Sequence, residues 1–393
     1  MTYPSHVDEI ICRLEAAGES AYIVGGGLRD MLLGVTPHDY DIATSALPQK
    51  TAQIFSDKHV IETGIKHGTL TVVFDGEPVE ITTFRIDGGY TDSRHPDSVS
   101  FTDKIEEDLS RRDFTVNAMA YNKHRGIIDP FGGRDDLGRR CLRTVGAPDL
   151  RFSEDALRIM RAFRFSAQLG FDIHPHTLEG AVRCAHGLES IARERIGSEF
   201  IKLITSPSPR RPLELMAEHG IFRYVLDGHV PSPRLTAALE HCLGMDIMCL
   251  AAMLFDADKD RASRLLRELR CSGKQITGTL AIMSGARLSV CSDIDARRLI
   301  ANTGIYAPYA ARLSEALGIS PHGAQDITIR QQNTPCSLRD LKINGKDLAA
   351  LGVRGKLIGE ILNEIMKRVI DTPELNHKPT LLAMATEIIK SKE

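Results

Sequence analysis

Two carboxylates in "HDYDIAT" (38–44) have the type and spacing to do phosphate chemistry. Asp39 and Asp41 stand two residues apart, so on a strand both side chains point to one face. Two like charges side by side are costly unless a cation neutralises them. Hard oxygen ligands of this kind suit Mg²⁺, which completes its octahedron with substrate phosphates. Glu80, in "PVEITTFR", belongs to an expected neighbouring strand and is a candidate third carboxylate. The competing reading of an isolated DxD pair is a turn or a solvated strand edge.

Three further stretches add to this. "VGGGLRD" (24–30) follows the apolar run "AYIV" and is expected to open a helix. Gly25, Gly26 and Gly27 let a backbone approach a phosphate closely, and a helix N-terminus favours negative charge. "LSRRDFTVNAMA" (109–120) sets two arginines and an aspartate before an expected apolar helix. Arg111 and Arg112 suit a triphosphate, because guanidinium matches phosphate oxygens bidentately. Asp113 could then accept a hydrogen bond from a ribose hydroxyl, or simply cap the helix. "EDALRIMR" (154–161) contains no glycine or proline and puts Asp155 and Arg158 one expected helical turn apart. Taken alone, that pair reads as an intrahelical salt bridge.

The elements that must position these groups fall into two textures. Up to about residue 145, short β-rich runs alternate with glycine turns, the pattern of a mixed α/β head. After "TVGAP" (144–148) long helical periodicities take over, interrupted by proline-rich breaks such as "SPSPRRP" (206–212). The expected division is a catalytic head over 1–145, a helical neck over 146–205, a helical body over 206–325 and a helical tail over 326–393. Apolar residues make up 42% and charged residues 26%, enough for a real core. Eight cysteines are scattered without paired spacing, which argues against a zinc or disulfide framework and for a reducing cytoplasm. No leader peptide and no membrane span is expected. The net charge of −3 gives no global sign of nucleic-acid binding. Between Arg151 and Arg211, however, ten Lys/Arg stand against seven Asp/Glu, a local excess that could face phosphates.

The glycine turn, "DYDIAT", "RRDFTVNAMAY", "DPFGGRDDL" and "EDALRIMRAFRF" stand in the order seen in class II tRNA nucleotidyltransferases. The chain resembles these bacterial CCA-adding enzymes, of the polymerase β nucleotidyltransferase superfamily, over about residues 20 to 205 and more weakly to its end. The resemblance implies a polymerase β-like mixed sheet followed by an all-α neck, body and tail. It implies a template-independent polymerase that adds C, C and A to the 3′ end of tRNA from CTP and ATP, with two Mg²⁺ ions held by Asp39 and Asp41 and Glu80 nearby. Nucleotide contacts are then expected from Gly26, Gly27, Arg29, Arg111, Arg112, Asp113, Asn117, Asp155, Arg158, Arg161 and Arg164. In this setting the "EDALRIMR" pair gains a task. Cytosine and adenine both present an amine donor beside a ring-nitrogen acceptor, which a carboxylate and a guanidinium can match. Uracil and guanine present the reverse, at a cost of roughly 1–3 kcal/mol per bidentate contact. Glu154, Asp155 and Arg158 match the family's amino-acid template, with the salt bridge as the resting state of the pair.

"SIARERIGSEF" (190–200) resembles the last neck motif, where Arg193, Glu194, Arg195 and Glu199 either brace the template helix or meet the primer end. In the tail, Lys346, Arg354 and Lys356 among Gly352, Gly355 and Gly359 suit an RNA backbone. The resemblance assigns them to the tRNA elbow; a packed helical hairpin is the alternative. No DNA or membrane partner is expected. Bacterial poly(A) polymerases, A-adding and CC-adding enzymes share the head. The stretch 85–109 is full length, unlike the shortened loop of CC-adding enzymes, which admits both C and A addition; an A-adding enzyme keeps that loop too. A non-enzymatic RNA binder is disfavoured by the intact Asp39, Asp41, Arg112, Asp113, Asp155 and Arg158.

Overall fold

The computed structural model describes residues 1–74, 76–88, 99–242 and 244–392. It divides into two compact units, Met1–Gly228 and His229–Glu393. The first contains eleven strands among the described residues. These are β1 (Ala21–Val24), β2 (Asp41–Thr44), β3 (His59–Ile61), β4 (Thr69–Phe74), β5 (Glu77–Thr83), β6 (Arg85–Asp87), β7 (Val99–Phe101), β8 (Ala120–Asn122), β9 (Gly126–Ile128), β10 (Cys141–Leu142) and β11 (Asp172–Ile173). Seven of them form one mixed sheet in the order β3-β4-β5-β2-β1-β8-β9. Only β2 and β5 pair in parallel within it.

Burial follows the sequence pattern. In β4, "TLTVVF", alternate residues Leu70, Val72 and Phe74 are buried, as expected for a strand covered on one face. "AYIV" is buried at all four positions because β1 lies mid-sheet with cover on both sides. On one face the Ser5–Ala16 helix inserts Val7, Ile10, Ile11 and Leu14 against Phe55 and Phe74. The other face packs Tyr22, Val24 and Ala43 against Phe84, Ile105 and Leu109.

The neck shares the head's core. Ala162 and Phe165, from the Leu157–Leu169 helix, join the first cluster, and Phe165 meets Phe114 edge to face with centroids 5.8 Å apart. The Arg193–Ile204 helix packs along Leu157–Leu169. The second unit is helical, and its C-terminal part has its own core around Leu348, Ile361, Ile365, Val369, Leu381 and Ala385. No helix among the described residues is long and apolar enough to cross a membrane.

Three local expectations change. Asp41 begins β2, but Asp39 precedes the strand, so the strand alternation applies to Asp41 alone. "TVNAMA" does not open a helix. Thr115–Asn117 makes one 3₁₀ turn, and Ala120 then pairs with Val24 across β8 and β1. Sheet pairing overrides the local helical pattern there. "EDALRIMR" is not one helix either. The Pro148–Glu154 helix stops at Asp155, whose backbone is extended at φ −145° and ψ 102°. Asp155 Oδ1 then accepts from the Leu157 amide at 3.0 Å and caps the start of the next helix.

Candidate active site

The glycine turn and β2 build the acidic end of the site. Gly25 opens the Gly25–Leu32 helix with φ +69°, a left-handed backbone that favours glycine. A Cβ there would stand 3.1 Å from Arg112 Nη1 and 3.2 Å from Asp41 Oδ2, so a guanidinium and a carboxylate converge over this glycine. A Cβ on Gly27 would meet the Asp39 carbonyl oxygen at 2.9 Å. The helix start and the Asp39 backbone therefore touch. Gly27→Ala is expected to displace Asp39 and lower turnover about tenfold; kcat comparison with wild type at saturating nucleotide checks this, and an unchanged kcat refutes it.

β2 pairs with β1 on one side and β5 on the other, which sets Asp41 opposite Val24 and beside Glu80 in register. Burial pushes the Asp41 carboxyl up to about 6; Arg112 opposes the shift, while Asp39 and Glu80 push the same way. Asp39 and Glu80 are exposed. Among the described residues no three His, Cys, Asp or Glu side chains come close enough to hold an ion unaided. The arrangement is a half-buried carboxylate with two acidic neighbours. It suits a divalent cation whose remaining ligands come from outside the chain.

Next to it lies a cleft of about 270 Å³ lined by Arg111, Arg112, Asp113, Asn117, Asp155, Arg158, Arg161 and Arg195, with Leu157. Five arginines against two aspartates make it strongly cationic, so it attracts a polyanion. The head supplies one wall through "RRD", and the neck helices supply the other. Arg158 Nη2 donates to the Arg111 carbonyl at 3.2 Å and ties the walls together.

The partners inside the cleft were not legible in the sequence. The Arg158 amide donates to the Asp155 carbonyl at 3.0 Å, but the two side chains do not bond each other. Asp155 Oδ2 accepts from Arg195 at 3.2 Å. Arg158 donates to Glu154 at 2.5 Å and to the Arg151 carbonyl at 3.1 Å. The resting-state salt bridge is thus replaced by two separate pairs, because the helix break at Asp155 turns its side chain away. Asp113 is buried, and Arg161 Nη2 lies 2.6 Å from its Oδ2. Its Oδ1 accepts from the Phe114 amide and from Asn117. Burial alone would raise this carboxyl, but Arg161, Asn117 and Arg158 together outweigh it and hold it below the ordinary range.

Arg29 is buried beneath the cleft and donates to Asn117 at 2.9 Å, so it supports the wall instead of lining it. Arg164 also stands outside. It pairs with Glu199 at 2.5 Å and lies 3.8 Å from the Phe165 ring centroid. Arg195, which "SIARERIGSEF" offered as a brace of the template helix or a primer contact, lines the cleft in its place. Gly26, beside Arg29, lies in the helix start. In the second unit Lys346, Arg354 and Lys356 are exposed around the loop between the Gly345–Ala350 and Lys356–Asp371 helices. Residues 89–98 of the stretch 85–109 lie outside the described residues.

Three family models match in series. Residues 21–143 match the "Poly A polymerase head domain". Residues 170–235 match the "Probable RNA and SrmB- binding site of polymerase A", and 245–385 match tRNA nucleotidyltransferase domain 2. The CCA-adding enzyme of Leuconostoc citreum is 38% identical over 98% of this chain and 96% of its own. That of Geobacillus stearothermophilus is 37% identical over 98% and 97%. The chain belongs to the CCA-adding enzymes. The solved structure of the Bacillus stearothermophilus CCA-adding enzyme in complex with CTP superposes with a TM-score of 0.83 at 33% identity, covering 100% of this chain and 99% of that one. The fold of the CCA-adding enzymes is therefore shared from end to end, with the mixed-sheet head and helical remainder that the motif order implies.

Proposed function

We propose that the chain adds C, C and A in turn to the 3′ end of tRNA, taking the nucleotides from CTP and ATP and releasing pyrophosphate. The observation that carries this reading is the arginine cleft that joins the Asp41 end of the sheet to Asp155 and Arg158. Its relatives support it: the CCA-adding enzymes of Leuconostoc citreum and Geobacillus stearothermophilus, and a CCA-adding enzyme solved with CTP. The family model over 245–385 supports tRNA as the acceptor.

Each group has a task in this reading. Arg111 and Arg112 bind the triphosphate and leave it stretched toward Asp41. Asp113 already accepts from Arg161, Asn117 and the Phe114 amide. It reaches a ribose hydroxyl only through a remaining lone pair, so its main work is to fix Arg161 in the cleft. Asp155 accepts the exocyclic amine of the base, and Arg158 donates to the adjacent ring nitrogen. Asp39 and Asp41 would hold magnesium, with Glu80 beside them. Bound there, two ions supply positive charge to the attacking 3′ oxygen and the leaving pyrophosphate. The head, neck, body and tail correspond to catalysis, base selection, support and tRNA holding. All eight cysteines are free thiols, in keeping with a cytoplasmic site of action.

Extension of a tRNA that lacks its 3′ end tests the reading at nucleotide resolution. CTP alone should add two residues and stop, and CTP with ATP should complete CCA. Addition of a single A restricted to tRNA ending in CC would identify an A-adding enzyme. An open-ended A tail would identify a poly(A) polymerase. Exchange of Lys346, Arg354 and Lys356 for alanine should weaken tRNA binding and flatten its salt dependence by about one unit of slope per lost phosphate contact. Nucleotide KM should stay put. An unaltered slope would make the tail a packed hairpin with solvated cations.

A further inference from the structure

Asp108 is a buried carboxylate that no motif marks. It lies on the Ile105–Ser110 helix, and its side chain is 1% exposed. Oδ1 accepts from Arg111 Nε at 3.0 Å, from Arg111 Nη2 at 2.8 Å and from the Arg85 amide at 3.3 Å. Oδ2 accepts from Arg112 Nη2 at 3.4 Å. One carboxylate therefore grips both arginines of the cleft from behind and ties them to β6. Asp87, on the same strand, lies 3.6 Å from Arg111 Nη1. With Nη2 pinned, Arg112 presents Nη1 over Gly25 beside Asp41, and its buried Nε has no hydrogen-bond partner among the described residues. Burial alone would push the Asp108 carboxyl up, but the two guanidiniums more than offset it, so it stays charged.

We propose that Asp108 is a positioning residue for the nucleotide's triphosphate, presetting Arg111 and Arg112 as a pair aimed along the cleft toward Asp41. This rests on reading the cleft as the nucleotide site. Arginine side chains lose considerable rotamer freedom when fixed. A carboxylate that fixes them before binding lowers the cost of meeting the phosphates. The grip is local, from positions three and four residues back along the chain, yet it also reaches the strand that begins the 85–101 segment.

Steady-state kinetics on full-length enzyme with tRNA test this. Asp108→Asn keeps the shape and removes the charge. It should raise KM for CTP and ATP about tenfold, and weaken inhibition by inorganic pyrophosphate by a similar factor. The CTP-to-UTP preference and tRNA affinity should not move, because those contacts lie elsewhere. In an Arg111→Ala, Arg112→Ala background the substitution should add nothing, because it acts through those side chains. Additive losses in that background would overturn the proposal. So would a wild-type KM in Asp108→Asn when Arg112→Ala raises KM, with the nucleotide reading intact. A wild-type KM in both variants would remove the nucleotide reading as well. If Asp108→Asn does not fold, Asp108→Glu replaces it: it keeps the charge and shifts the anchor by one methylene. A raised KM supports presetting, and an unchanged one refutes it.

Discussion

Asp41→Asn and Asp39→Asn should each abolish C and A addition, by about 10³-fold or more in kcat, while tRNA binding should stay nearly intact. Both losses should be equal for the two nucleotides, because the proposed task of the carboxylates is at the phosphates and not the base. The structure adds an effect on stability for Asp41 that the motif alone would not show. Its carboxyl is pushed from 3.8 to about 6, first by burial and then by Asp39 and Glu80, against the pull of Arg112. Between those two values the folded protein binds more protons than the unfolded chain. Stability therefore falls as pH rises through that window, and the deficit is complete above about 6. In metal-free buffer at pH 8, Asp41→Asn should melt higher than wild type, by about 1–3 kcal/mol in stability after allowance for partial solvation. The gain should vanish near pH 4, where the wild-type carboxyl is protonated in the folded protein. Added magnesium should stabilise wild type and leave Asp41→Asn unchanged. Retained turnover in either variant would refute the catalytic assignment. Equal stabilities at pH 8 would refute the electrostatic one.

Nucleotide choice should change when the neck residues are altered. Asp155→Ala removes the acceptor for the base amine, and with it a carboxylate that repels the uracil O4. Use of CTP and ATP should drop about 10- to 100-fold, the worth of one good base contact. UTP should gain relative to both. Arg158→Ala removes the donor and lowers CTP and ATP together with less relaxation. It also removes one of the two guanidiniums that Glu154 accepts from, leaving Arg151 at 2.8 Å, and takes a donor from the Arg151 and Arg111 carbonyls. Its thermal stability should therefore drop further than that of Asp155→Ala. Both variants should still bind triphosphate through Arg111 and Arg112. Incorporation of CTP, ATP, UTP and GTP by each variant, measured at steady state, decides the matter. Wild-type ratios among the four in both variants would mean that the pairs serve structure alone, worth about 0–1 kcal/mol apiece.

Much of the head was determined by local sequence. The period-two alternation of "TLTVVF" and the unbroken apolar "AYIV" specify β4 and β1, and three glycines specify the turn over which Asp41 and Arg112 meet. Side-chain alternation, glycine freedom and the order of motifs are properties of neighbours in the chain, so they can be read from it. The tertiary structure decided which charges pair. Arg195, forty positions beyond Asp155, takes the carboxylate that spacing had assigned to Arg158. Arg161 takes Asp113, and Arg164 leaves the cleft for Glu199. "TVNAMA" gave way at Ala120 to a strand because β1 offered a hydrogen-bonding edge at Val24. "EDALRIMR" broke because Asp155 caps Leu157 and is held from another helix. Ion pairs and sheet edges act through space over a few ångströms, between groups whose separation along the chain carries no signal, and the fold alone brings them within that range.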